Sequence, residues 1–324
     1  MSLKLSDFEL KLRIPELPSS IPVFALSAQS LDDRRAAITH LGKHLQLGDL
    51  RSAELDHAVV MASAQGDIHY FHASGAILAR DATTGRGQKN EFRHWEGVRD
   101  SGTGGNRMAL GPEVSKRLVA QAQDLLEPVG LLAKEKASTT VELQQVAQLD
   151  GKGKEIAHGA GRATIKFGYA VQGMPVCGAG AKTLAFAEPG GGAPRITGVF
   201  HAWRTLGSAT AVKLSSLEQA LAVGLLTDPE LELHHRAGHK IQITRLELAY
   251  LALPAFLRQS HLFPAFQVEG KVSAGERGIG FGFARFHHAA PPKAYGAAGL
   301  AGPYLTVNPD GISPLPQPRK QMCT

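Results

Sequence analysis

Hydrophobic positions along the chain follow two alternating periods, helical spacing and then strict alternation, and the sequence runs through this cycle three times. Residues 31 to 47, LDDRRAAITHLGKHLQL, place Leu31, Ile38, Leu41 and Leu45 on one helical stripe, with Ser30 as N-cap and Gly48 just past the end. The segments HAVVMASA (57 to 64), IHYFHA (68 to 73) and AILARD (76 to 81) then alternate with period two around Gln65-Gly66-Asp67 and Ser74-Gly75. This predicts one helix and a three-stranded meander. Residues 82 to 109 are rich in Gly, Asn, Thr and charge and read as a long surface loop, with Phe92 and Trp95 able to fold back onto the body.

The second round opens at Pro112, a residue suited to a first helical turn, and its helix should end or kink at Pro128. Strands follow at TTVELQQVAQ, RATIKFGYAV, AKTLAFAE and RITGVFHAWR. The third round starts at Ser215 or Ser216, with Glu218 and Gln219 completing a capping-box-like start. It continues through extended segments LELHH, KIQITRLELAYLAL, LFPAFQVEGKV and IGFGFARFHH, and a phase change near Thr244-Arg245 predicts a β-bulge. An amphipathic helix laid across a curled antiparallel sheet buries both apolar faces, so the pattern predicts an α+β fold of tandem units. The expected division is an N-terminal extension (1–30), helix-meander units at 31–109, 110–213 and 214–288, and a Pro/Gly-rich tail (289–324) that wraps the body without regular structure.

Composition narrows the partners more than the fold. The 324 residues carry a formal net charge of +6, but acids and bases are interleaved almost everywhere. A nucleic-acid groove needs a clustered basic stripe, so nucleic acid is not an expected partner. The N-terminus holds Lys4, Asp7, Glu9, Lys11, Arg13 and Glu16 where a signal peptide has its apolar core, and no window approaches the roughly 18 apolar residues of a membrane span. These features predict a soluble, cytoplasmic protein. Cys177 and Cys323 make no disulfide framework.

Most recognisable chemistry is absent. His40 and His44 share a helix face but lack the acid of an HExxH helix, and His234, His235, His239, His287 and His288 read as turn and strand-end residues. The run GIGFGFAR continues a strand where a dinucleotide fingerprint needs a helix, and no Gly-x-Ser-x-Gly elbow occurs. Neither a metal nor a cofactor is expected. One constellation stands apart: His201, Trp203 and Arg204 at the end of RITGVFHAWR, with Tyr169, Glu247, Tyr250 and Glu269 on strands expected to be its neighbours. On a concave sheet, His201, Glu247, Tyr169 and Tyr250 would serve as acid and base, with Trp203, Arg204 and Glu269 contacting substrate.

The pairing of FGYAVQGMPVCGAGAKTLAFAE with RITGVFHAWR resembles modules of the PepSY and fungalysin/thermolysin-propeptide type, through the turn Gly173-Met174-Pro175-Val176-Cys177-Gly178 and the hairpin from Pro189 to Pro194. LELAYLALP and LFPAFQVEGKV are similar to the strand pair of extracytoplasmic sensor-kinase regulators that stack such units. The resemblance implies cystatin-like units and a role in binding or inhibiting another protein. Two functions therefore stand. The first is a non-catalytic binding or regulatory protein presenting a sheet face or edge to a protein or peptide. The second is a cofactor-independent lyase, isomerase or cyclase acting on a small hydrophobic substrate.

Overall fold

The helix starts anticipated from sequence form. Helix α1 (Leu31–His44) opens with a reciprocal capping box between Ser30 and Asp33, and α2 (Pro112–Leu126) has proline in its first turn and gives way to a 3-10 turn over Glu127–Val129. Helix α3 (Leu217–Leu225) opens with a capping box between Ser216 and Gln219. The computed structural model describes residues 4, 7–10, 17–82, 92–96, 98–100, 108–190, 193–226, 228–273 and 280–300. Residues 83–91, 97 and 101–107 of the expected loop and the tail beyond 300 lie outside these.

Strands dominate. The N-terminal part supplies β1 (Phe8–Leu10), β2 (Ser20–Ser27), β3 (Arg51–Glu54), β4 (Ala58–Ala62), β5 (Gly66–Phe71), β6 (Ala76–Asp81), β7 (Val98–Asp100) and β8 (Met108–Leu110). The central part supplies β9 (Lys136–Leu149), β10 (Glu155–Val171), β11 (Met174–Cys177), β12 (Lys182–Glu188), β13 (Arg195–Ala202) and β14 (Thr205–Lys213). After α3 come α4 (Pro229–Arg236), β15 (Lys240–Leu251), β16 (His261–Ser273), β17 (Phe281–His288) and α5 (Pro292–Ala297).

Fifteen of these strands form one mixed sheet, and β7 and β8 form a separate pair. The expected α+β architecture of tandem cystatin-like units is therefore not what the chain adopts. Strands of one expected unit pair with strands of another: β13 with β6, β11 with β15, and β2 with both β14 and β16. A unit that borrows its neighbours' edges cannot close on its own sheet. The short helices cover parts of this sheet and do not head separate modules.

Three local expectations also change. The N-terminal extension is a core element, with Ile21 and Val23 of β2 buried. The segment LELHH lies in α4, because Asp228 accepts hydrogen bonds from the Glu230 and Leu231 amides and Pro229 occupies the first turn. Within the tail, Pro292–Ala297 is helical and Tyr295 is buried. The bulge anticipated in β15 is present, between Ile243 and Arg245 against β16.

Two main apolar cores result. The first gathers α1, α2 and the inner faces of β5, β6, β12 and β13. The second gathers β2, β15, β16 and the last three helices. Strand β10 serves both: Ala163, Ile165 and Phe167 enter the first core, and Tyr169 and Val171 the second.

Candidate functional site

The sequence-selected residues divide into four separate settings. At the junction of the cores, β12 and β13 pair with Thr183 opposite His201. Thr183 Oγ1 donates to the Leu131 carbonyl at 3.2 Å and lies 2.5 Å from the Tyr169 hydroxyl and 2.8 Å from His201 Nδ1. Thr183 Oγ1 thus joins the Tyr169 hydroxyl, His201 Nδ1 and the Leu131 carbonyl in one buried hydrogen-bonded group. Trp203 packs on Tyr169, ring centroids 4.6 Å apart. The structure thus brings His201, Tyr169 and Trp203 together, and adds Thr183.

This cluster is built to stay closed. His201 is 1% exposed, and burial, followed by the nearby Arg34 charge, holds its imidazole well below its ordinary range. Burial likewise raises the Tyr169 hydroxyl. Arg34, itself drawn down to about 10 by burial, is anchored by a 3.0 Å bond from Nε to the Gly75 carbonyl. Tyr70 bonds the Gln29 carbonyl beside it at 2.9 Å. These groups satisfy one another inside the protein.

Arg204 points elsewhere. Its guanidinium donates to the carbonyls of Leu253, Pro254 and Leu257, the last at 2.6 Å, while Gln259 bonds Leu251, Leu253 and His261 from within the same loop. Gly180 lies against this loop so closely that an added Cβ would sit 1.8 Å from the Leu253 carbonyl oxygen. Arg204 is thus a buckle for the β15–β16 connection.

Glu247 and Glu269 form the third setting. Both pair with Arg245 on the outer face of β15 and β16, at 2.5 and 3.2 Å, and Gln267 also bonds Glu269. Burial, then Glu247, pushes the neighbouring Cys177 thiol up to about 11, so it is unreactive at neutral pH. Tyr250 is fully buried, bonds the Pro22 carbonyl at 2.7 Å and meets Phe24 edge-on. The seven residues do not converge on one concave surface, because β11, β10 and β12 stand between β15 and β13 in the strand order. Of the seven, Glu247 alone lines one of the more prominent clefts, an opening of about 530 Å³ edged by Pro18, Pro22 and Pro175.

Among the described residues no three His, Cys, Asp or Glu side chains gather as a metal site. His234 and His239 lie with their Nδ1 atoms 3.0 Å apart and bond each other. No helix of the described residues is long and apolar enough to cross a membrane.

The sheet edges differ in how they are guarded. β3 is edged by Arg51 and Glu54, and β14 is interrupted by a bulge between Leu206 and Ala209, both common protections against strand addition. β9 opens on Lys136 with a register shift before Ser138, but from Ala137 to Val141 it is uncharged: among the described residues β10 is its strand partner, in unbroken register from Ser138 to Leu143, and Ala137, Ser138, Thr139 and Thr140 are exposed. Farther along, Leu149 and Ile156 are 56% and 58% exposed near the end of the same ribbon. Sequence reading found β9 but not its free edge, although the uncharged, β-rich run ASTTV was visible.

No family model matches the chain, and no curated protein matches it. A solved structure similar to it is that of an uncharacterized protein from Eubacterium rectale ATCC 33656, with 12% sequence identity over 84% of each chain and a TM-score of 0.50. At that identity the likeness concerns the fold alone.

Proposed function

We propose that the protein is a non-catalytic binding protein that recognises an extended segment of a protein partner by adding it as a strand to β9. The observation behind this reading is the regular, exposed and uncharged stretch of the outer edge of β9 between Ala137 and Val141, unpaired among the described residues, with Leu149 and Ile156 farther along the same ribbon. Main-chain hydrogen bonds along such an edge supply affinity, and flanking apolar side chains supply selectivity. This keeps the binding role implied by the resemblance to PepSY modules, without their cystatin-like fold. Acid/base catalysis draws less support, since the His201 cluster is enclosed and two of its expected partners, Glu247 and Tyr250, are engaged elsewhere.

Photo-crosslinking tests the reading. A photoreactive residue at Thr140 should form an adduct with one partner in cells of the source organism, whereas the same group at Ser52 on β3 should not, and Thr139→Pro should abolish the adduct. Equal labelling from both edges, or no adduct from Thr140, would refute strand addition at β9. An adduct joining two copies of the chain would replace partner recognition by self-assembly.

A further inference from the structure

Between α1 and α2 lies a cleft of about 400 Å³ whose polar lining is His40, His44, Gln121, Asp124 and Arg195. It shares no residue with the β9 edge. Two polar atoms here, His40 Nε2 and Gln121 Oε1, are buried and have no hydrogen-bond partner among the described residues. Buried polar atoms are almost always satisfied, so a pair left open on facing helices asks for an occupant. His40 and His44 are one turn apart on α1, and Gln121 and Asp124 are similarly spaced on α2, so each helix offers two polar groups along the cleft.

The charges have a direction. Protonation of His44 is opposed first by burial and then by His40 and Arg195, which stand on its side of the cleft. Arg195 bonds Asp81 at 2.9 Å, and its side chain remains 54% exposed, with donors to spare. Asp124 is the one carboxylate in the lining, and Leu125 and Ile196 give an apolar wall. We infer that the cleft binds a small carboxylate that also carries a hydrogen-bond donor, of the amino-acid or hydroxy-acid class. The ligand carboxylate faces Arg195 and His44. Its ammonium or hydroxyl group donates to Gln121 Oε1 and Asp124, and His40 Nε2 completes the set. A doubly charged phosphate is disfavoured by Asp124.

Calorimetry and imidazole NMR on the full chain, with L-serine, L-lactate and inorganic phosphate as probes, decide this. Serine or lactate should bind saturably, shift the His40 and His44 signals and raise the titration midpoint of His44, because a bound anion favours its imidazolium. Gln121→Leu removes an unsatisfied atom and should leave the protein at least as heat-stable while weakening binding at least about tenfold. Arg195→Gln should weaken it similarly, and Lys43→Gln, outside the cleft, should not. Failure of both serine and lactate to move the two histidine signals, equal binding of phosphate, or affinity that survives both Gln121→Leu and Arg195→Gln would overturn the assignment.

Discussion

Thr183 is one hydroxyl serving three partners, and its removal should be felt by all of them. Thr183→Val keeps the shape but removes the hydroxyl that the Tyr169 hydroxyl, His201 Nδ1 and the Leu131 carbonyl share in a buried setting, an expected loss of about 1 to 3 kcal/mol in urea unfolding. A change under about 0.5 kcal/mol would show that these bonds do not matter to stability. His201 adds a pH signature. Its folded imidazole titrates well below the usual range, whereas the unfolded chain takes up the proton near pH 6.5, so the unfolded state binds more protons in acid. Stability from this group is therefore full above about pH 6.5 and falls as the pH drops, by up to about 1.4 kcal/mol per pH unit. His44 and His288, also shifted downward by burial, act with the same sign. Urea midpoints between pH 7.5 and 5 should fall less steeply in His201→Gln than in the native protein, and identical slopes would mean that His201 titrates normally. The sequence singled out His201, Tyr169 and Trp203, but not Thr183 or Arg34, because an isolated threonine or helix arginine shows no sign in sequence of what surrounds it.

At the scale of elements, two glycines near the Gly173–Gly178 turn should respond differently. Gly173 has φ +80 in the β10–β11 turn and open space around it, whereas Gly180 meets the Leu253 backbone. Gly173→Ala should cost about 1 kcal/mol through its left-handed backbone alone. Gly180→Ala must displace the loop that Arg204 and Gln259 hold, and should cost at least about 2 kcal/mol and increase amide exchange in residues 251 to 259. Equal costs would place the strain in the turn and not in the contact. Local chemistry made the helix starts at Ser30, Pro112 and Ser216 and the bulge at Thr244-Arg245 legible. It failed at LELHH, where the alternating leucines suggested a strand and the cap formed by Asp228 and Pro229 imposed a helix.

Across the whole molecule, β10 ties the two cores together, and the two tryptophans report on each of them. Trp95, whose Nε1 bonds the Gly161 carbonyl at 2.7 Å, belongs to the first core, and Trp203 packs against the second. Single-tryptophan variants made with Trp95→Phe or Trp203→Phe should unfold with coincident urea midpoints by fluorescence, after allowance for each substitution's own cost measured by circular dichroism. Separate midpoints would indicate that the cores fold independently, as tandem units would. The sequence by itself determined where most helices and strands lie, because capping, periodicity and turn chemistry act over a few residues. Only the tertiary structure decided that β2, β6, β11 and β13 pair across the expected boundaries, that Glu247 and Tyr250 stay away from His201, and that the first half of β9 has β10 as its strand partner among the described residues. Pairing is a choice among distant strands with similar apolar faces, and that choice rests on the packing of the whole sheet.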